Sequence, residues 1–413
     1  MVAENDGLPP GSHDGSDSPS ADSHAYYTEE QSTESMDEHS EFDVTQAYDF
    51  AEAGICPEDR KAITELNGNY EDIILRDNIS VELTYQFVRR LGAGGQGVVY
   101  LTDRAGAFGV NFPLALKFHR VEGYQTVAMY RKEMARLARV SMEISRIQQD
   151  HLLDIYNVVE FNGILVLVSE WVDGLDIRQL MSPRTLQHLK KKVDPERYQE
   201  INDVVVTNAG MQSRFKVGIA ISILRECLAG LSALHREGIV HADVKPSNIM
   251  VKRSGNCKII DPGSAYRIDA PPSRPLWTPR YAAVEVLEGA PHTPLSDLAS
   301  LGYVLFEMLT GTYPFAGTAD GDELVAVKTA LWEDLEDRLP EDLRRNKILV
   351  KLIKRMIAPR PEDRFSSLDE ADHSQEGASE IQRQLVVIRL ASEYHNDLRV
   401  LMDEIGNEFS FDG

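Results

Sequence analysis

The chain has 413 residues and carries 66 Asp and Glu against 43 Lys and Arg, so its formal net charge is −23. This length fits one large domain or two to three smaller ones, and 42% hydrophobic residues suffice for a core. The acidic balance argues against nucleic acid or an anionic membrane surface as the main partner.

The charge is concentrated at the N-terminus. Residues 1–50 hold 13 Asp and Glu and lack Lys and Arg, whereas the rest of the chain holds 53 acidic and 43 basic residues. The segment is also poor in aliphatic residues, so it cannot bury enough apolar surface to offset the entropy of ordering. We therefore predict a disordered acidic tail over 1–56, which either solubilises the chain or holds phosphorylation sites and a basic partner.

Cysteine content and hydropathy indicate the compartment. Three widely spaced cysteines are too few for a disulfide scaffold, which favours a reducing cytoplasm; they are Cys56, Cys227 and Cys257. No basic segment followed by an apolar stretch opens the sequence, so we expect no signal peptide. The apolar segment 217–234 is interrupted by Arg225 and Glu226, which predicts a buried helix instead of a membrane span.

The local patterns change along the chain. Residues 57–84 form a lead-in segment that begins with a short helix. Further on, a helix is predicted over 127–149, and strands are predicted over 85–91, 98–102, 112–118, 158–161 and 164–169. After Gly174 the sequence is almost wholly helical. A small β-rich part followed by a larger α-rich part predicts two lobes.

Two further segments have open interpretations. Apolar residues recur at helical spacing over 379–405, namely Ile381, Leu385, Ile388, Leu398, Met402 and Ile405. This C-terminal helix either docks on the main domain or forms a homodimer. Residues 183–213 form either a lengthened helical region with a loop or a docking surface.

A glycine-rich loop lies between two predicted strands, in Leu91-Gly92-Ala93-Gly94-Gly95-Gln96-Gly97-Val98-Val99. Glycines let backbone amides approach phosphate groups because no Cβ stands in the way. Dinucleotide-binding loops and chance turns give the same glycine spacing, but a dinucleotide loop opens a helix and a strand follows here.

A lysine ends the next apolar strand. Lys117 follows Gly97 by twenty residues, where its ammonium group could reach the α- and β-phosphates of a nucleotide. Such a lysine needs a carboxylate to orient it. Glu143, late in the predicted helix, is the first candidate, and Glu133, earlier in the same helix, is the alternative.

The segment with the most residues capable of catalysis or metal binding is His241-Ala242-Asp243-Val244-Lys245-Pro246-Ser247-Asn248. An Asp can position and deprotonate a hydroxyl nucleophile, a Lys two residues on can neutralise a transferring phosphate, and an Asn can ligate Mg²⁺. Thirteen residues after Asn248 stands Asp261, a carboxylate that can hold Mg²⁺ between two phosphates.

With these blocks in this order, residues 85–372 resemble a eukaryotic-type (Hanks-type) Ser/Thr protein kinase. The resemblance implies an α+β bilobal fold, with a β-rich N-lobe over 85–172 that includes one helix and a mainly helical C-lobe over 173–372. It also implies ATP and Mg²⁺ as cofactors. The implied nucleotide contacts are Leu91, Gly92, Gly94, Gly97, Val99, Ala115, Lys117, Glu170, Val172 and, at the ribose, Asp176. Ser169 would precede the hinge, Asp243 would be the catalytic base assisted by Lys245, and Asn248 and Asp261 would bind Mg²⁺.

Further matches favour a protein substrate over a small molecule. Trp277 to Tyr281 resembles the segment that seats the substrate residue after the acceptor, and Lys245 with Thr278 favours Ser or Thr as the acceptor. Asp297 would support the catalytic loop. Arg364 would be the buried partner of Glu285, and breaking such a pair strands a charge.

The sequence departs from the family pattern at two positions. Ala242 replaces the Arg that normally clamps a phosphorylated activation segment, so switching by phosphorylation of that segment is not expected. Ser264, Tyr266, Ser273 and Thr278 stay candidate phosphorylation sites with no assigned switch role. Pro262 replaces the Phe that normally couples the long N-lobe helix to the metal-binding Asp261. We expect a stiffer turn, weaker coupling between Glu143 and Asp261, and low intrinsic activity.

We therefore predict a cytoplasmic kinase that transfers the γ-phosphoryl group of Mg²⁺-ATP to Ser or Thr of protein substrates, without nucleic-acid or membrane partners. The first alternative is a nucleotide-binding pseudokinase that acts as a scaffold. The second is a small-molecule kinase.

Overall fold

A computed structural model describes residues 46–47, 56–80, 84–209, 212–272, 276–313, 315, 321–387 and 393–406. The acidic tail predicted over 1–56 lies outside the described residues except for 46–47 and 56. The candidate phosphorylation site Ser273 and the apolar Ile388 also lie outside them.

The strands of the described residues are short except in the first lobe. They are β1 (Gln46–Ala47), β2 (Asn78–Ser80), β3 (Thr84–Gly94), β4 (Gly97–Ala105), β5 (Asn111–His119), β6 (Ile155–Phe161), β7 (Ile164–Glu170), β8 (Gly174–Asp176), β9 (Val206–Asn208), β10 (Ser213–Phe215), β11 (Ile239–Val240), β12 (Ile249–Lys252), β13 (Cys257–Ile259), β14 (Tyr266–Arg267) and β15 (Leu276–Trp277).

The helices of the described residues lie mostly in the second lobe. They are α1 (Pro57–Ile74), α2 (Val127–Ile144), α3 (Ile177–Met181), α4 (Pro183–Lys192), α5 (Pro195–Val204), α6 (Val217–Arg236), α7 (Val284–Leu287), α8 (Pro294–Thr310), α9 (Asp322–Glu333), α10 (Leu335–Arg338), α11 (Glu341–Arg344), α12 (Lys347–Met356), α13 (Leu368–His373), α14 (Ala378–Val387) and α15 (Tyr394–Ile405).

The N-lobe is built on a six-stranded antiparallel sheet with the order β2-β3-β4-β5-β7-β6. Its central strands are rich in β-branched and aromatic residues, which pack well on a pleated surface. Leu116, Phe118 and Val166 are buried beneath α2 in one core. The strands predicted between residues 85 and 169 are confirmed, including the β6–β7 hairpin across Asn162 and Gly163, and the helix predicted over 127–149 is present but ends at Ile144.

The lead-in segment belongs to this lobe. It forms α1, which is longer than the predicted helix start, and β2, which extends the sheet by pairing with β3. Leu66, Tyr70 and Ile73 are buried in the same core as α2. The Tyr100 hydroxyl donates to the carbonyl of Ile74 at 2.7 Å, which ties the end of α1 to β4.

The C-lobe surrounds two central helices, α6 and α8, that are buried on almost every side. A helix that is hydrophobic all round belongs in a core. By length and composition α6 could cross a membrane, but 83% of its apolar stretch is buried within the described protein. The short strands β8 to β14 interrupt a region that the sequence predicts as almost wholly helical.

The C-terminal segment forms two helices, α14 and α15, instead of the single helix predicted over 379–405. Its apolar residues Leu398, Met402 and Ile405 are buried against the same chain, as is Ile381. Leu385 is half-buried on the same core. The contacts are those of a docked helix, and a homodimer through this segment stays a prediction.

The long segment after the hinge contacts α15. Its residues 183–213 form α4, α5 and the start of a β9–β10 hairpin. Arg197 of α5 donates to Glu404 at 2.6 Å, and Lys192 of α4 donates to the carbonyl of Ile405 at 3.2 Å. The segment is therefore a lengthened helical region that contacts a helix of its own chain, and a docking surface for another protein stays a prediction.

Candidate active site

The loop that carries the predicted catalytic residues, 241–248, follows β11. Asp297 of α8 fixes the start of this loop through hydrogen bonds to its backbone. One carboxylate oxygen of Asp297 accepts the backbone N–H of His241 at 2.8 Å and the other accepts that of Ala242 at 2.9 Å. The imidazole of His235 also contacts Asp297, at 2.9 Å. Burial raises the pKa of Asp297, but the hydrogen bond and charge of His235 outweigh that effect, so its pKa is lowered. An ionised buried carboxylate thus fixes the loop that presents Asp243.

Asp243, the predicted base, Thr278 and Lys245 each contact the other two through their side chains. The hydroxyl of Thr278 donates to Asp243 Oδ1 at 2.7 Å and accepts from Lys245 Nζ at 2.8 Å. Lys245 Nζ also lies 3.2 Å from Asp243 Oδ2. All three side chains are buried. The structure therefore brings together the base, its lysine and the threonine that the sequence predicts for a Ser/Thr-directed site.

The two predicted metal ligands are adjacent. Asn248 donates from Nδ2 to the carbonyl of Asp243 at 2.8 Å, which leaves its amide oxygen as a ligand. The N–H of Ile260 donates to the carbonyl of Asn248 at 2.8 Å, and Asp261 follows directly. An amide oxygen and a carboxylate are hard oxygen donors of the kind Mg²⁺ prefers. The residues present therefore fit Mg²⁺.

Asp261 forms an ion pair with Lys117, whose Nζ lies 2.5 Å from Asp261 Oδ1. The backbone of Asp261 is left-handed, with φ of 61°, and its Oδ1 also accepts the N–H of Gly263 at 3.0 Å. Burial opposes ionisation, but the charge and hydrogen bond of Lys117 overcome it and lower the pKa of Asp261 to about 2. The carboxylate is therefore ready to accept a cation at neutral pH.

Gln96, at the tip of the glycine-rich loop, was not among the predicted site residues. Its Oε1 accepts from Lys117 Nζ at 2.7 Å, and its Nε2 donates to the hydroxyl of Ser264 at 2.9 Å. A Cβ at Gly263 would lie 1.9 Å from Gln96 Oε1, so the amide is seated directly on the turn after Asp261. Gln96 therefore bridges the loop, the lysine and the activation segment.

Neither candidate carboxylate is paired with Lys117 in the described residues, so the choice between Glu143 and Glu133 stays a prediction. Glu143, the first candidate, forms its ion pair with Arg267 at 3.1 Å on a part-exposed surface, so the structure does not bring it to Lys117. Glu133, the alternative, is less exposed and lines a cavity with Gln96, Met134 and Gly263. Glu133 is paired there with Arg136 at 2.6 Å. In the described residues the ion partner of Lys117 is Asp261.

In the structure the two glutamates differ in the burial of a neighbour four residues away on α2. Four residues after Glu133 stands Leu137, which is buried, whereas four residues before Glu143 stands Arg139, which is exposed. Residues four apart share a helix face. Glu133 therefore lies on the face of α2 that packs toward the sheet and the cleft.

The glycines of the loop differ in whether the fold itself requires them. Gly97 has φ of 143°, and a Cβ there would lie 1.9 Å from the carbonyl oxygen of Phe118, so the fold itself requires glycine. At Gly92 and Gly94 a Cβ would meet nothing within 4 Å. The described protein gives no steric reason for glycine at these two positions, and their contact with nucleotide phosphates stays a prediction.

The predicted adenine contacts line up across neighbouring strands. Leu91 on β3, Val99 on β4 and Ala115 on β5 are half-buried, while their neighbours Val98 and Leu116 are buried. Val99 pairs with Lys117, two residues from Ala115, so Val99 and Ala115 share one face of the sheet, while Leu91 lies at a bulge of β3 beside them. They form an apolar surface beside the hinge.

The hinge is fixed by a charged contact. Glu170 follows Ser169 at the end of β7, and Lys258 of β13 donates to its carboxylate and to Asp154 at 3.1 Å. Burial lowers the pKa of Lys258, but its hydrogen bonds with Glu170 and Asp154 raise it overall. The side chain of Glu170 therefore has a structural partner, and Val172, two residues on, is buried.

Asp176, the predicted ribose contact, caps a helix. It is the N-cap residue of α3, and its Oδ1 accepts the N–H of Gln179 at 2.7 Å. The Gln179 side chain in turn accepts the N–H of Asp176 at 3.0 Å, which completes a capping box. Capping the helix is a sufficient structural reason for an Asp at this position. The predicted contact of Asp176 with the ribose therefore stays a prediction.

The two departures from the family pattern are buried. Ala242 has φ of 64° and packs with Val240 and Tyr266. Pro262 begins a single turn of 3₁₀ helix, and a small apolar cavity beside it is lined by Ile144 of α2 and by Leu152, among others. A proline fills less space than a phenylalanine, so this packing fits the expected weaker coupling between α2 and Asp261.

The expected ion pair between Glu285 and Arg364 is present in bidentate form, with N–O distances of 2.7 and 2.6 Å. Arg364 also donates to three backbone carbonyls, including Ala358 at 2.7 Å. Because every donor direction of the guanidinium has a partner, the buried charge is fully compensated.

Comparison with known proteins agrees with this geometry. The family model described as Protein kinase domain matches residues 85–375. Similar proteins include a probable serine/threonine-protein kinase, pknA2, of Bifidobacterium longum (28% identity over 57% of this chain and 27% of the relative). Others are serine/threonine-protein kinases: PrkC of Bacillus subtilis (26% over 59% and 32%) and PknD of Mycobacterium tuberculosis (28% over 68% and 38%). The chain thus spans about a third of the length of these curated relatives. On the match of the family model, this chain belongs to the protein kinase domain family.

Proposed function

We propose that the protein is a Ser/Thr protein kinase that transfers the γ-phosphoryl group of Mg²⁺-ATP to hydroxyl groups of protein substrates. The observation that carries this proposal is the buried hydrogen-bonded set of Asp243, Lys245 and Thr278, with Asn248 and Asp261 beside it. The names of the similar proteins, all serine/threonine-protein kinases, support the same class.

Each of these site residues would have its own role in phosphoryl transfer. Asp243 Oδ1, which accepts the Thr278 hydroxyl, can in the same way accept the hydroxyl of a substrate and orient it. Lys245 and Lys117 supply positive charge for the transferring group and the remaining phosphates. Mg²⁺ held by Asn248 and Asp261 would neutralise charge that develops on the phosphate oxygens. Catalysis would then rest on positioning and electrostatics.

The test is Asp243→Asn in the full chain, with radiolabelled phosphate transfer to a generic basic protein as the readout. We expect nucleotide binding to persist and transfer to fall by about 10²- to 10⁴-fold, the usual contribution of a general base. Undiminished transfer would contradict the assignment of Asp243. A wild-type chain that binds nucleotide without Mg²⁺-dependent transfer would instead favour the pseudokinase scaffold, and label in a small molecule alone would favour the other alternative.

A cytoplasmic location and protein partners are part of the same proposal. The thiols of Cys227 and Cys257 are both free although their sulfur atoms lie 3.9 Å apart, which is compatible with a reducing compartment. The net charge of −23 disfavours nucleic acid and anionic membranes as partners.

A further inference from the structure

The strand that leads into Thr278 is paired with a strand of the N-terminal tail. β1 (Gln46–Ala47) runs antiparallel to β15 (Leu276–Trp277), with Gln46 opposite Trp277 and Ala47 opposite Leu276. Among the described strands, β15 pairs with β1 alone. The tail therefore places an extended piece of backbone against the segment that the sequence predicts to seat a substrate.

This strand pair lies next to the predicted base. Trp277 directly precedes Thr278, which is buried and whose hydroxyl donates to Asp243 Oδ1 at 2.7 Å. Consecutive Cα atoms of a chain are about 3.8 Å apart. Gln46 is thus paired one residue away from a side chain that directly contacts Asp243.

Backbone pairing with a strand is a general way to bind an extended peptide, because main-chain hydrogen bonds need no particular side chain. A pair of two residues is weak between separate molecules. Here both strands belong to one chain, and a flexible tether can raise the effective concentration of the bound segment to the order of millimolar. The tail can therefore occupy β15 without a second molecule.

The tail carries a hydroxyl at the matching position in the sequence. Gln46 pairs with Trp277, the first residue of the segment that is predicted to seat the residue after the acceptor. The residue before Gln46 is Thr45. The tail therefore has a threonine where the register of the pair requires the acceptor, and the site is one that the sequence predicts to be directed to Ser or Thr.

We propose that the chain is its own substrate in cis, with β1 bound on β15 as the substrate strand and Thr45 as the phosphoryl acceptor. This inference rests on the proposed kinase function. The Thr45 oxygen bonds to the γ-phosphorus of ATP, the bond from that phosphorus to the bridging oxygen of ADP breaks, and the hydroxyl proton passes to Asp243. Protein substrates need the same strand, so the unmodified tail competes with them.

The test maps phosphorylated residues by mass spectrometry after the full chain is incubated with Mg²⁺-ATP. We expect phosphate on Thr45 before any other residue of the tail, with a rate constant that does not depend on protein concentration, as a reaction in cis requires. Thr45→Ala should remove most of the phosphate from the tail. Thr33→Ala, at a tail threonine twelve residues earlier, is the control and should leave the labelling of Thr45 unchanged.

A strand variant separates the pairing from the acceptor hydroxyl. Gln46→Pro/Ala47→Pro removes both backbone N–H groups of β1 and disfavours pairing with β15. It should slow phosphorylation of Thr45 about tenfold or more, the effect of losing one or two backbone hydrogen bonds. Transfer to the generic basic protein should persist or rise. Gln46→Ala keeps both N–H groups and should label Thr45 at the wild-type rate.

The outcomes separate this inference from the proposed kinase function. A chain that phosphorylates the basic protein but leaves Thr45 unmodified would overturn the inference alone. Equal labelling of Thr45 in the wild-type chain and the double proline variant would also overturn it, as would labelling of an added Asp243→Asn chain at the wild-type rate, which shows a reaction in trans. Absence of transfer to both acceptors would contradict the kinase function and the inference together.

Discussion

The side-chain amide oxygen of Gln96 lies 2.7 Å from the ammonium nitrogen of Lys117, in the space between the glycine-rich loop and the activation segment. The same amide donates to Ser264 at 2.9 Å. Nucleotide phosphates would need the same lysine. Gln96 and the nucleotide are therefore competitors for Lys117.

Gln96→Ala should tighten nucleotide binding, because the amide no longer has to be displaced. One hydrogen bond to a charged group corresponds to about a ten- to hundredfold lower dissociation constant for Mg²⁺-ATP, measured by calorimetry. Gln86→Ala serves as the control, since this glutamine donates to the carbonyl of Asp77 on the exposed β2–β3 edge. Weaker binding by Gln96→Ala would mean that the amide contacts the nucleotide instead.

Glu133→Ala should lower kcat/KM for phosphoryl transfer by about ten- to hundredfold, since we expect Glu133 to orient Lys117 once the nucleotide is bound. Steady-state kinetics of Glu133→Ala and Glu143→Ala, side by side, measure this. A large loss in the Glu143 variant with a small loss in the Glu133 variant would restore the original prediction from sequence.

Arg364→Ala should destabilise the C-lobe by about 3–5 kcal/mol, because Glu285 would be left as a buried, unpaired charge. The free energy of unfolding in urea measures the effect. Arg360→Ala, at a largely exposed guanidinium four residues earlier, is the control and should change stability by no more than about 0.5 kcal/mol. The double variant Arg364→Ala/Glu285→Ala should lose much less than the sum of the single losses.

Acid should remove a stabilising contribution of Asp261. Its pKa is about 2 in the folded chain against an ordinary 3.8, so this contribution is present above pH 3.8 and is lost as the pH falls through about 2. The shift corresponds to about 2 kcal/mol. Unfolding free energies measured between pH 5 and pH 2 should therefore fall less steeply for Asp261→Asn than for the wild-type chain, and equal slopes would contradict the ion pair with Lys117.

Much of the molecule could be predicted from sequence because its motifs are local. Glycine spacing, strand alternation and the run from His241 to Asn248 each depend on neighbouring residues, and the structure places Asp243, Lys245 and Asn248 together as expected. Arg364 and Glu285 were matched through the family pattern, and their ion pair is present.

The missed features depend on contacts between distant segments. Glu133 and Glu143 have the same chemistry, and only the rotational position of α2 against the sheet separates them. The contact of Gln96 with Ser264 spans 168 residues, and the docking of α15 on α4 and α5 spans more than 200. Periodicity shows that a helix has an apolar face, but the partner of that face is set by tertiary packing.

Because α1 packs in the N-lobe core, the folded domain extends further toward the N-terminus than the segment that matches the family. The family match begins at residue 85, yet Tyr70, Ile73 and Ile79 are buried in the core shared with α2. A chain shortened to the matched region would expose that part of the core to water and remove an outer strand of the sheet. For expression or for grafting onto another protein, a fragment that keeps this core intact therefore begins near Pro57, well before the first residue of the family match.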